Sequence, residues 1–165
     1  GVGSMVPERG PGSLFVLDDF IEFTQGRQCT FFDRPGEVTH TDMTAIYDPE
    51  LRAILIRAAE LEDQEVSNTG TYVCTNGPRF ETPAEIRMYT QFGAHVVGMT
   101  GYPEVALARE AGLRYASIAV VSNLAAGITD DVVEEKEIWQ ALEATKDPVF
   151  RILKRATQLS ASGEC

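Results

Sequence analysis

Hydrophobic and polar positions change their spacing several times along the chain, and each change marks an element. Residues 13–24, "SLFVLDDFIEFT", hold a short apolar run followed by acids, which predicts a buried strand and its exit. Residues 25–47 show no clean period, and glycine, proline and the adjacent Phe31 and Phe32 interrupt them. An irregular segment of this length inside a domain is usually functional or covered by a partner. From Asp48-Pro49-Glu50 the spacing becomes helical, with Leu51, Ile54, Leu55, Ala58 and Leu61 on one face. "EVSNTGTYVCTN" (65–76) reads as strands around a turn. A second helix opens at Thr82 as N-cap, with Pro83 at N1 and Glu85 completing a capping box. It carries Ile86, Tyr89 and Phe92 and stops at Gly93. "HVVGM" (95–99) predicts a short strand. "TGYPEVALAREAG" (100–112) predicts a helix with Pro103 at N1, Glu104 in its first turn and Gly112 beyond its end. "LRYASIAVVSN" (113–123) is the nearly continuous β-prone run of a parallel strand covered on both faces. A helical pattern then runs from about Val133 to Ser160, bent or interrupted at Pro148.

The strand–helix–strand order over 95–123 predicts a βαβ unit and therefore an α/β fold. Ligands of open α/β sheets gather beyond the carboxyl ends of strands. Two strands here end in polar residues, at Met99-Thr100 and Ser122-Asn123. Glu85 has a structural task as the third helical residue. Glu81 has none, because it precedes the cap in a loop opened by Asn76-Gly77-Pro78. Either it is a solvated loop charge, or it meets a ligand together with Thr100 and Asn123 at one sheet edge.

Composition narrows the class. At 165 residues the chain suits a single domain, 1–165, with a buried core. A formal charge of −11 argues against sequence-independent nucleic-acid binding and against docking on anionic membranes. A small anionic substrate remains compatible, since a few local donors override net charge. Cys29, Cys74 and Cys165 are odd in number and contain no CxxC pair, which reads as reduced cytoplasmic thiols rather than a disulfide frame or zinc site. No run of about 18 apolar residues predicts a membrane span. The opening "GVGSMVPERGPG" lacks a signal-peptide pattern and reads as the middle of a longer protein or one half of a split one.

Three motifs in order, "GPRFETPAEIR", "GAHVVGMTGYPEVALAREAGL" and "YASIAVVSNLAAGI", make the chain resemble the trimeric purine nucleoside phosphorylase and methylthioadenosine phosphorylase family. The resemblance covers most of residues 1–160 and is densest over 72–128. It implies an α/β fold with a mixed central sheet flanked by helices, of nucleoside phosphorylase type, with the family's N-terminal strands missing. It also implies phosphorolysis of purine nucleosides by orthophosphate, giving free base and ribose 1-phosphate, without metal or organic cofactor. Carried across residue by residue, Phe80 stacks on the purine and Glu81 faces its N1–H. Asn123 binds N7 and the six-position substituent. Met99 lines the ribose, Thr100 contacts phosphate, and the Gly1–Val2 turn presents a backbone amide to phosphate. His40 matches a loop that crosses to a neighbouring subunit of a homotrimer and covers the 5′ end of the nucleoside, which accounts for the irregular segment 25–47.

Cleavage of the glycosidic bond leaves an oxocarbenium-like sugar and a purine gathering negative charge, so donors must aim at the base. An amide suits N7, and Asn123 with Glu81 fits a 6-oxopurine. The adenine-directed branch has Asp-x-Asp where Asn123-Leu124-Ala125 stands, and Ser where Glu81 stands. At the 5′ end His40 resembles the methylthio-nucleoside branch, so S-methyl-5′-thioadenosine or methylthioinosine is the alternative substrate. The family's Gly-rich phosphate loop and basic phosphate ligands have no counterpart in this sequence, which predicts a phosphate site completed by a missing segment or a second chain. A non-catalytic purine-binding or partner-stabilising subunit is the alternative from another class; hydrolysis without phosphate is weaker, for lack of a carboxylate cluster. Plainer expectations accompany these. His95 is structural, Cys74 buried, Phe31-Phe32 packed locally or at a subunit interface, and Asp130 to Glu135 a solvated helix start.

Overall fold

In the computed structural model, which describes residues 1–162, two of the helices begin where the sequence supplies caps. Cys165 lies outside the described residues. Helix α1 (Pro49–Leu61) starts with the Asp48 carboxylate accepting from the Leu51 N–H at 2.9 Å. Helix α2 (Pro83–Gln91) has the full reciprocal box. The Thr82 hydroxyl accepts from the Glu85 N–H at 3.2 Å, and the Glu85 carboxylate accepts from the Thr82 N–H at 2.7 Å. Helix α3 (Gly101–Glu110) is non-helical at Tyr102, so its regular part begins at Pro103 as the sequence predicts. Helix α4 (Glu135–Ser162) is not interrupted at Pro148, so of the two expected outcomes a break is ruled out.

Seven strands form one sheet: β1 (Val2–Ser4), β2 (Leu14–Val16), β3 (Asp19–Glu22), β4 (Val66–Ser67), β5 (Thr71–Cys74), β6 (Val96–Gly98) and β7 (Ile118–Leu124). Their order is β3-β5-β6-β1-β7-β2-β4. The mixed α/β class holds, but two expectations change. First, residues 13–24 form two strands. Leu17, buried, and Asp18 carry the chain from the β2 side to the far edge, where the Asp18 carboxylate accepts from the Gly70 N–H at 3.1 Å. Second, β6-α3-β7 is not a parallel βαβ unit. β1 lies between β6 and β7, antiparallel to the first and parallel to the second, so those two strands run in opposite directions. β7 is antiparallel to its other neighbour, β2. An apolar run predicts burial on two faces; it carries no sign of direction.

Alternation along the strands divides the core. Leu14 and Val16 pack with Ile54, Leu55 and Ala58 of α1 and Ile152 and Ala156 of α4. Phe15 and Leu17 point the other way, joining Val2, Tyr72, Val105 and Val121. Ile152 is fully buried, and its truncation to Ala would cost about 2–5 kcal/mol. Leu61 and Phe92, expected on apolar helix faces, are instead exposed, and Phe92 stacks on Phe23 with ring planes 3° apart. The irregular segment contains no helix or strand between Glu22 and Pro49. Buried Ile46 and Tyr47 anchor its end, and the Thr30 hydroxyl donates to Glu110 at 2.7 Å. Phe31 is exposed and Phe32 half-buried.

Candidate functional site

Where β1 meets both neighbours, Gly3 stands opposite Val97 of β6 and Asn123 of β7, with a register shift between Val2 and Gly3. A Cβ at Gly3 would come within 3.3 Å of the Val97 side chain and 3.4 Å of the Asn123 amide nitrogen, so glycine keeps the floor of the site low. Above it lies a cavity of about 290 Å³. Gly1, Val2, Met99, Thr100 and Asn123 line it from the sheet, and Phe80 and Glu81 from the β5–α2 loop. Ile138 and Leu142 of α4, with Val133 before it, add an apolar wall.

Seven of the eight residues singled out from sequence therefore share one cavity. His40 does not: it is exposed in the irregular segment and is not among the lining residues. The location also differs from the expected strand edge. Asn123 lies within β7 rather than beyond it. The antiparallel β1–β6 pair brings the start of one strand beside the end of the other, so the site covers the middle of the sheet.

Each polar group is held by a neighbour. The Ser122 hydroxyl is 2.8 Å from the Asn123 carbonyl oxygen and 3.1 Å from the Val2 carbonyl, and its one proton serves the nearer acceptor. That fixes the amide with its oxygen toward Ser122. The amide nitrogen donates one hydrogen to the Leu124 carbonyl at 2.9 Å, leaving its second available. Buried Thr75 donates its hydroxyl proton to one Glu81 oxygen at 2.7 Å, so the other oxygen can accept from a ligand. Glu81 also lines a second cavity, with Phe23, Asn76 and Tyr89. Phe80 is 45% exposed and offers a ring face without being packed away. Gly77, at φ +65°, lies so close to Met99 that a Cβ there would sit 2.3 Å from the sulfur.

The Thr100 end is built differently. Its N–H and that of Gly101 donate to the Tyr72 hydroxyl at 3.1 and 3.2 Å, so the first amides of α3 are already engaged. Burial raises the pKa of that hydroxyl, which keeps it neutral. No Lys, Arg or His lines the cavity among the described residues. Nor do the described residues contain a cluster of three His, Cys, Asp or Glu able to hold a metal. No helix among them is long and apolar enough to cross a membrane.

Sequence reasoning missed Arg27. Its guanidinium donates to the carbonyls of Met99 at 2.7 Å, Thr75 at 3.1 Å and Tyr102. Main-chain acceptors have no side-chain signature, so nothing in the sequence pointed to it. His95 is structural as expected, its ring nitrogen accepting from the Thr71 N–H at 3.1 Å. Cys74 is fully buried.

Chemically, the cavity presents a carboxylate acceptor, an amide donor and an aromatic face around a space suited to a flat, polar-edged ring. The model of the phosphorylase superfamily matches residues 1–157. A probable 6-oxopurine nucleoside phosphorylase of Moorella thermoacetica is 47% identical over 144 residues, covering 86% of this chain and 55% of that protein. A probable S-methyl-5′-thioinosine phosphorylase of Methanocaldococcus jannaschii is 43% identical over 153 residues, covering 93% and 60%. Among solved structures, a methylthioadenosine phosphorylase from Schistosoma mansoni in complex with adenine superposes with a TM-score of 0.92 at 32% identity, over 98% of this chain and 63% of that one. The chain spans a little over half the length of the curated relatives it matches.

Proposed function

This chain belongs to the phosphorylase superfamily, and we propose that it forms the nucleoside-binding portion of an enzyme that splits 6-oxopurine nucleosides with orthophosphate. The observation carrying the proposal is that Glu81 and Asn123, forty-two positions apart in sequence, line one cavity with their side chains pre-oriented by Thr75 and Ser122. A 6-oxopurine presents N1–H to Glu81, and its N7 accepts from the amide hydrogen of Asn123 that is not bonded to Leu124. Phe80 covers a face of the base and Met99 the ribose. As the C1′–N9 bond breaks, the purine takes up negative charge, and the amide donor stabilises it. A phosphate oxygen forms the new bond to C1′, and the proton released from phosphate ends on the free base. Thr100 and the Gly1–Val2 backbone contact that phosphate, and basic ligands from a segment or second chain absent from these 165 residues complete its site. The assembly is a homotrimer in which His40 reaches a neighbour's cavity.

The second reading, a 5′-methylthio nucleoside as substrate, draws on His40 and on the name of the Methanocaldococcus relative. A purine-binding subunit without catalysis is the third. One assay separates them: inosine, guanosine, adenosine and methylthioinosine, each with and without orthophosphate, with release of free base measured. Phosphate-dependent release from inosine or guanosine is expected once the missing basic segment is supplied. Base release without phosphate, or none in the presence of that segment, would overturn the reading.

A further inference from the structure

The nucleoside reading gives Arg27 no task, although its guanidinium is the most heavily engaged cation near the site. Arg27 is half-buried in the irregular segment and donates in two directions. One terminal nitrogen, Nη2, donates both to the carbonyl of Thr75, where the β5–α2 loop begins, at 3.1 Å and to that of Met99 at 2.7 Å; the Asn76 carbonyl is 3.5 Å away. The other, Nη1, donates to the carbonyl of Tyr102, which like Met99 belongs to the turn between β6 and α3. The first loop carries Phe80 and Glu81 into the cavity, and the second carries Met99 and Thr100. Nη2 bridges the two segments, and Nη1 fixes the direction of the bridge by holding Tyr102; an ammonium, with one nitrogen, could make the bridge but could not hold all three carbonyls in the same plane.

We propose that Arg27 is a positioning residue that ties the base-facing loop to the sugar-facing turn and so sets the spacing between Glu81 and Met99. The inference rests on the reading of this cavity as a purine nucleoside site. Its physical basis is that Thr75 serves both partners. The Thr75 carbonyl accepts from Arg27 while its hydroxyl donates to Glu81, so releasing Arg27 frees the residue that aims the carboxylate. A displacement of about 1 Å at a positioned group costs on the order of a hundredfold in rate.

The test uses Arg27→Met, which keeps the stem but removes the donors, and Arg27→Lys, which keeps the charge. Hypoxanthine affinity is measured by titration calorimetry, and amide hydrogen exchange is followed in the ligand-free chain. Arg27→Met is expected to weaken hypoxanthine binding about tenfold or more, with Arg27→Lys recovering only part. Exchange is expected to rise together in residues 75–81 and 99–102 and to stay unchanged in α1 and α4. Equal hypoxanthine affinity in the Met variant overturns the inference, as does exchange raised uniformly along the chain, which would make Arg27 a general staple. Should the unsubstituted chain bind no hypoxanthine, that failure belongs to the purine reading, and exchange alone then decides. Joint loosening of the two segments supports the tie, and its absence overturns it.

Discussion

The two ends of the cavity are built to different standards. At one end Glu81 and Asn123 are each fixed by a neighbouring hydroxyl, at 2.7 and 2.8 Å, and present one acceptor and one donor to the same space. At the other, Thr100 is exposed, its N–H is occupied by Tyr72, and no Lys, Arg or His side chain lines the wall among the described residues. The difference teaches that recognising a planar base and holding an anion are separable tasks. The first needs a few neutral groups aimed by second hydrogen bonds. The second needs concentrated positive charge, which these residues do not bring to the cavity.

The largest expected effect falls on the well-built end. Glu81→Ala removes a charge-assisted hydrogen bond worth about 1.5–3 kcal/mol, so hypoxanthine affinity should fall roughly ten- to a hundredfold by calorimetry. Orthophosphate affinity measured alone should not move; a parallel loss would mean the two ends are not separate. Next, Asn123→Asp should lower the inosine-to-adenosine preference by about tenfold, since an ionised carboxylate accepts from a 6-amino group where the amide donated to N7. An unchanged ratio in competition assays would remove Asn123 from base recognition. Thr75→Val keeps the buried volume and deletes the hydroxyl's charge-assisted bond to Glu81, which aims the carboxylate without touching the ligand, so affinity should drop about fivefold with little change in fold. Thr82→Ala, a helix cap six residues from Asn76 with no place in the cavity, should cost about 1 kcal/mol of stability in urea unfolding and leave base preference intact.

The smallest effect is electrostatic. Arg79, with the Thr82 N–H, holds the Glu85 carboxyl down at about 2, and Arg114, with the Leu51 N–H, holds Asp48 at about 2. Both carboxylates are lowered in the folded state, so their support of the α2 and α1 starts is complete above the ordinary carboxylate range. It is lost as pH falls from about 4.5 toward 2. Both pairs face water, which screens them, so the change in melting temperature across that window should be small. Glu85→Gln and Asp48→Asn should flatten it, and neither should alter hypoxanthine affinity at neutral pH.

Local grammar was the legible part. The caps of α1 and α2, the start of regular helix at Pro103 and the irregular stretch after Glu22 all follow from residue types acting on their immediate neighbours. The gathering of Glu81 and Asn123 was legible through motif likeness rather than through spacing. Strand direction was not legible, because β6 and β7 look alike whether or not a third strand separates them. The division of residues 13–24 was hidden for the same reason: Leu17 is as apolar as its neighbours, and only the partners of Asp18 reveal the corner. Arg27 was invisible because its acceptors lie 48 to 75 residues away and are peptide carbonyls. Pro148 misled because a missing N–H is only a local cost, and the burial of Ile152 and Ala156 beyond it holds α4 in one piece.

The three residues of β1 connect everything else in the sheet. On one side of β1 lie β6, β5 and β3, on the other β7, β2 and β4, and among the described residues no other strand pairs the two groups. Its register pairs residue 2 with residue 121. The two groups therefore become one sheet only through pairings between residues far apart in sequence. Contacts this distant in sequence slow folding. The cavity floor at Gly3 is made by these distant pairings, so a ligand seated there would report that both groups of strands are joined.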